Sequence, residues 1–242
     1  FFAWVAFMAP HDPRQPPAGY RERFVGHEPP PPVNFLPEHP FDNGDLKIRD
    51  EQLLGWPRTP EAISRELADY YACIEGMDAE IGRIVSALAA KGRLDDTVIL
   101  FTSDHGLALG SHGLLGKQNL YEHSMRSPAV IAGPGVAASD CTSLLPVLRG
   151  DRPEVRQELL LAYRDLQRAI VTPGWKLIEY PAVGRSQLFD LVNDADELVD
   201  LAAEPSARGR RLALETLLEA VQRAAGDPLL EASRKMRRKK AG

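Results

Sequence analysis

Apolar positions along the chain fall into strand-like runs, one long stretch with helical spacing, and a polar, proline-punctuated region between them. The run Phe1-Phe2-Ala3-Trp4-Val5-Ala6-Phe7-Met8-Ala9 stops at Pro10, short of the roughly 20 apolar residues of a membrane span, and reads as a buried strand. From Pro10 to about residue 58 the chain is rich in proline, including Pro29 to Pro32, which removes ladder donors and disfavours helix. That region reads as an ordered or disordered surface loop, suited to form a wall over a ligand site. Thr59-Pro60-Glu61 then offers a hydroxyl cap, a first-turn proline and an acid at the positive end of a helix dipole. Ile63, Leu67, Tyr70, Ile74, Met77, Ile81, Ile84 and Leu88 keep one apolar face, and Lys91-Gly92-Arg93 closes the helix. This helix is expected to pack on a sheet beside the site.

The apolar run Val98-Ile99-Leu100-Phe101 sits in a buried strand over residues 97–103, and Pro128 to Ala132 forms another, ended by Gly133-Pro134-Gly135. Beyond residue 150 short strands are expected at 158–163, 168–172, 175–180 and 186–191, followed by a helix over 205–225. Leu212, Leu214, Leu217, Leu218 and Val221 give that helix its apolar face. The pattern divides the chain into a main α/β part, residues 1–149, and a small α+β subdomain, residues 150–233. No internal repeat is visible.

Composition narrows the picture. With 242 residues and 44% hydrophobic positions the chain can fill a core. The net charge is −5, yet Arg234, Lys235, Arg237, Arg238, Lys239 and Lys240 crowd the end; without these six the body carries −11. An acidic body excludes a nucleic-acid-binding face, and residues 234–242 read as a basic, disordered tail. The first residue is Phe1, with no basic segment before the apolar run, so the natural beginning of the protein is expected upstream. Cys73 and Cys141 stand in no metal or redox spacing and fix no compartment; Cys73 falls on the helix as a small core residue.

Candidate chemistry gathers where apolar runs end. Asp104 and His105 follow the strand at 97–103, and Asp104 offers hard oxygens suited to Ca²⁺ or Mg²⁺. Two adjacent ligands do not complete such a shell, and a loop without metal is the plainer reading of the pair taken alone. Lys117, after Gly113-Leu114-Leu115-Gly116, can act as a point charge toward an anion. His112 can bond a substrate oxygen or cap the loop. His11, at the end of the first run, can donate to an anion or protonate a leaving oxygen.

Taken together, four blocks carry a resemblance. AFMAPHDPRQPPAGYRERF, DYYACIEGMDAEIGRIVSAL, ILFTSDHGLALGSHGLLGKQNLYEHSMRSPAVIAGPG and LFDLVNDADELVDLA resemble the type I sulfatases of the alkaline phosphatase superfamily, over most of residues 3–203. The third block is the most specific, with Asp-His-Gly, Gly-Lys and Arg126-Ser127-Pro128 in fixed order. The resemblance implies an alkaline-phosphatase-like mixed sheet with flanking helices, incomplete here, and hydrolysis of sulfate esters, those of carbohydrates above all. It implies a Ca²⁺ site and a formylglycine nucleophile made from cysteine or serine. By position, Asp104 and His105 look like the second pair of metal ligands, although the family often has asparagine where His105 stands. Lys117 looks like the lysine that bridges sulfate and nucleophile, and His11 like the histidine on sulfate and leaving group. A periplasmic or secreted location is a family expectation, and the oligomeric state is left open.

The pattern is also broken. The family's nucleophile motif is Cys or Ser, any residue, Pro, any residue, Arg, and neither Cys73-Ile74-Glu75-Gly76-Met77 nor Cys141-Thr142-Ser143-Leu144-Leu145 fits it. The first pair of metal aspartates is missing, and the segment near 138–143 looks shortened. The chain therefore resembles the C-terminal portion of a sulfatase, expected to be inactive alone. A phosphodiesterase or phosphonate hydrolase of the same superfamily is the sister reading; a non-catalytic fragment or decayed homologue is the contrasting one.

Overall fold

Helix α1 (Pro60–Ala90) begins where Thr59 Oγ1 accepts from Ala62 N at 3.2 Å, with Pro60 in the first turn. It closes as the Lys91 amide bonds Ala87 O and Gly92 takes a φ of +61°. In the computed structural model, which describes residues 1–134 and 157–241, α1 buries Ile63, Leu67, Ala68, Ala72, Cys73 and Gly76, and nothing beyond Gly76. Its last turns lie open, with Ile84 exposed.

Strand β1 (Ile99–Thr102) pairs antiparallel with β2 (Ala129–Ala132), Ile99 facing Ala132, and the one-turn helix α2 (Glu122–Met125) lies between them in sequence. Four strands, β3 (Leu159–Tyr163), β4 (Gln167–Thr172), β5 (Trp175–Tyr180) and β6 (Arg185–Asp190), form an antiparallel meander in chain order. A 3-10 turn at Pro205–Ala207 leads into helix α3 (Arg208–Ala224), and helix α4 (Leu230–Ala241) follows.

The period of two along the meander decides what each face covers. Ala169, Ile178, Tyr180 and Phe189 meet Ala108, Leu114, Leu120 and Tyr121. Ile170, Leu177 and Leu188 on the opposite face meet Leu214 and Leu218 of α3. Leu109 and Leu115 of the same 108–121 segment turn instead to Ile63 and Leu67 of α1. The segment is thus wedged between α1 and the meander, each buried leucine contributing about 1.5–3 kcal/mol of transfer free energy. Gly113, at φ +71°, permits the tight return: a Cβ there would lie 2.2 Å from the Glu38 carbonyl carbon.

Several expectations are corrected. Residues 1–9 form no strand, and Phe1, Phe2, Trp4 and Met8 are largely solvent-exposed, because no described strand lies beside them to complete a ladder. The strand expected buried over 97–103 is shorter and mostly exposed: β1 has only β2 beside it, and no described element covers its faces. Helix α1 packs chiefly on the Arg21–Phe24 turn and the 108–121 segment rather than on a sheet. Residues 234–241 are helical, since Met236 is buried and Arg237 pairs with the buried Glu179. Cys73 is buried and free. The division at residues 149 and 150, Cys141 and the segment 138–143 lie outside the described residues.

Candidate functional site

Lys117 leaves the wedged segment just after Leu115 and Gly116, whose amides are both held by one carboxylate. Glu51 Oε1 accepts from Gly116 N at 2.8 Å and Oε2 from Leu115 N at 3.0 Å. Glu51 is itself paired with Arg58, Nη2 to Oε2 at 2.8 Å, and Arg58 also donates to Gly113 O at 2.5 Å. Both side chains are buried. Burial pushes the Arg58 guanidinium down from its ordinary value, and the Glu51 charge and hydrogen bond oppose this.

The Lys117 ammonium donates to His11 Nε2 at 3.3 Å, across 106 residues of sequence. The other ring nitrogen, Nδ1, lies 2.8 Å from Asp12 O and 3.4 Å from Asp12 Oδ1. With Nδ1 protonated and donating to that carbonyl, Nε2 keeps the lone pair that meets Lys117. Asp12 is nearly buried and ion-paired with Arg49. Burial raises its carboxyl, but the Arg49 hydrogen bond and the charges of His11 and Arg49 together leave it below the ordinary value.

Asp104 and His105 stand just past β1. The Asp104 carboxylate is open to solvent, and His105 Nε2 lies 3.4 Å from its Oδ2. His105 Nδ1 is 3.0 Å from Gly106 O; when it donates there, Nε2 is left with its lone pair on the carboxylate side. A carboxylate oxygen and a free imidazole nitrogen on one side fit part of a divalent cation's shell, with the oxygen the harder ligand. Among the described residues no group of three or more such ligands gathers, and no hydrogen bond or ion pair joins this pair to His11 and Lys117.

His112 is placed inside. Its ring stacks on Tyr121 at 4.0 Å between centroids, its Nε2 meets Asn34 Nδ2 at 3.2 Å, and its carbonyl accepts from His39 Nδ1 at 2.8 Å. Burial lowers the His112 and His39 imidazoles to about 4 and that of His123 well below the ordinary value, so all three are neutral at pH 7. The His112 ring is thus taken up by Asn34, Tyr121 and His123, and among the described residues no hydrogen bond or ion pair joins it to Lys117. Beneath it the buried Lys176 pairs with Glu122 at 2.5 Å and Glu197 at 2.9 Å.

Of the residues singled out in the sequence, the structure brings His11 and Lys117 into contact, keeps Asp104 and His105 apart from them without a shared hydrogen bond or ion pair, and buries His112, while Asp12, Arg49, Asp50, Glu51 and Arg58 were not singled out. The one available signal was the charged triplet Arg49-Asp50-Glu51 set between the apolar Ile48 and Leu53-Leu54.

The family model and a curated relative point to one family, and the solved structures to one fold. The sulfatase family model matches residues 1–157. The chain is 31% identical over 240 residues to a choline-sulfatase of Rhizobium meliloti (strain 1021), covering 83% of this chain and 46% of that protein. Among solved structures it is similar to a protein in complex with its substrate D-glucosamine-2-N,6-O-disulfate, with a TM-score of 0.72 at 21% identity over 91% of this chain and 64% of that one. It is similar as well to a phosphonate monoester hydrolase of Agrobacterium radiobacter, with a TM-score of 0.69 at 23% identity over 96% of this chain and 56% of that one. These likenesses show an alkaline-phosphatase-like fold. The chain spans about half the length of the curated relatives it matches.

Proposed function

The chain is a member of the sulfatase family, and from that premise we propose that it supplies the histidine and lysine side of a sulfate-ester hydrolysis site, with Asp104 and His105 as part of a calcium site. The observation that carries this reading is the 3.3 Å contact between Lys117 Nζ and His11 Nε2. An ammonium and an imidazole from distant segments converge on one spot, braced by Glu51 and Asp12.

As a sulfate ester breaks its S–O bond, the electron pair stays on the leaving oxygen and charge builds there and on the equatorial oxygens. Lys117 is a fixed positive charge for the equatorial oxygens, and a protonated His11 gives its Nε2 proton to the leaving oxygen. Calcium, when bound, adds Lewis-acid stabilisation of the same charge. Asp104, by a carboxylate oxygen, and His105, by Nε2, are the residues that would hold it. The attacking group is the family's formylglycine, and neither cysteine of this chain stands in its motif. Loss of a covalent nucleophile costs roughly 10⁶ in rate, about 8 kcal/mol, so the isolated chain should not turn over sulfate esters.

The substrate class we assign is a sulfated carbohydrate, supported by the family resemblance. The fold likeness to a phosphonate monoester hydrolase keeps one rival, because sulfate and phosphate are both tetrahedral oxyanions. Calorimetric titration with inorganic sulfate and with inorganic phosphate separates the two. Saturable sulfate binding, weakened about tenfold by Lys117→Ala, is the expected result, one charge-assisted hydrogen bond being worth about 1.5–3 kcal/mol. Tighter phosphate binding would favour the rival, and sulfate binding indifferent to Lys117→Ala would sink the assignment.

A further inference from the structure

Arg49, Asp50 and Glu51 are consecutive residues of one short 3-10 turn, Arg49–Leu53, and each reaches a different part of the candidate site. Arg49 pairs with Asp12 through Nη2 and with Asp50 Oδ1 through Nη1 at 3.1 Å. Asp12 lies against the His11 ring. Asp50 Oδ2 accepts from Gln118 Nε2 at 2.8 Å, and Gln118 Oε1 in turn accepts from the Lys117 amide at 3.0 Å. Glu51 holds the amides of Leu115 and Gly116. The contacts close a circuit that runs from Lys117 Nζ to His11, Asp12, Arg49, Asp50 and Gln118 and back to the Lys117 backbone.

From this circuit we infer that Arg49, Asp50 and Glu51 are positioning residues for the His11–Lys117 anion pair. The turn ties the His11–Asp12 segment directly to the loop that carries Lys117, whereas the neighbouring ion pair Arg14–Glu66 ties the chain past His11 to α1 instead. The 3.3 Å contact has Lys117 donating to the His11 Nε2 lone pair; once His11 is protonated the two charges repel, and an anion between them or a rigid frame around them keeps them together. The frame is mainly charge-assisted hydrogen bonds in a partly desolvated place, where such bonds are strongest. Arg49 is its outer strut. An arginine spans two carboxylates with separate guanidinium nitrogens, a geometry a lysine ammonium does not reproduce.

The inference rests on the sulfate-site reading, so its test has one readout that needs no anion. Arg49 is half-exposed, and its removal leaves the buried Glu51–Arg58 pair intact, so Arg49→Ala and Arg49→Lys are expected to fold with melting temperatures close to that of the parent. In the full chain, the nuclear Overhauser contact between the His11 ring and the Lys117 ε-methylene should be present, and both variants should weaken or lose it. Inorganic sulfate should bind about tenfold more weakly to both, while Lys47→Ala, which removes a nearby exposed positive charge and no strut, should leave affinity unchanged. Asp50→Asn, which weakens the link to Gln118 and leaves the Glu51–Arg58 pair in place, adds a second probe of the frame and should weaken the same contact. A full-strength contact in Arg49→Ala, or parental contact and affinity in Arg49→Lys, would overturn the inference. If the contact behaves as expected but the parent binds no sulfate, the positioning stands and the sulfate reading falls.

Discussion

At the scale of single residues, burial and charge set the account's sharpest numbers. Glu51 and Arg58 are buried together, and Glu51→Gln leaves Arg58 without its counter-charge. A loss of about 3–5 kcal/mol is expected, read by urea unfolding. His39 and His112 are held near 4 by burial, below the ordinary imidazole value of 6.5. The unfolded chain takes up protons at both positions as pH falls below 6.5, whereas the folded chain does so only near 4. Stability present above pH 6.5 is therefore lost across that window, by about 1.4 kcal/mol per pH unit for each histidine. Urea midpoints measured from pH 7 to pH 4 check this, and a flat profile between 6.5 and 4 would contradict it. His11, Asp104 and Lys117 were legible because each polar group follows an apolar run or a glycine loop. Arg49 and Glu51 were harder to read, because the Asp12 carboxylate and the Leu115 amide that they hold lie 37 and 64 residues away and the charged triplet alone does not say what it contacts.

At the scale of elements, periodicity located the meander, α1 and α3 closely, since each has a buried face at its own period. It failed where burial comes from outside the element. Residues 1–9 and β1 are apolar yet uncovered, and α4 looked like a solvated charge run although Arg237 and Arg234 are spent on carboxylates. Glu179 has no exposed side-chain surface, and its pKa is raised by burial against the pull of Arg237. Arg237→Ala should cost about 3–5 kcal/mol and loosen α4, seen as lower helicity and a lower unfolding midpoint. An unchanged midpoint would show that α4 does not brace the meander.

At the scale of the whole molecule, the wedged segment packs into two separate apolar clusters, one shared with the meander and one with α1, so the loop bearing Lys117 rests on both. Phe1, Phe2, Trp4 and Met8, together with Val98, Leu100 and Val130, leave apolar surface in water. Concentration-dependent self-association of the isolated chain is expected, measured by sedimentation velocity; a monomer at every concentration would contradict it. No helix among the described residues is long and apolar enough to cross a membrane. If Lys117 and His11 form one side of a sulfate site, an oxyanion should seek them, although a rival cationic surface exists on α4, where Lys235, Arg238 and Lys239 line a shallow groove. Crystals of the chain soaked in selenate, a heavy analogue of sulfate, distinguish them by anomalous diffraction. A selenate peak is expected within hydrogen-bonding distance of Lys117 Nζ and His11 Nε2, lost in Lys117→Ala. Selenate bound on α4 and absent from Lys117 would contradict it.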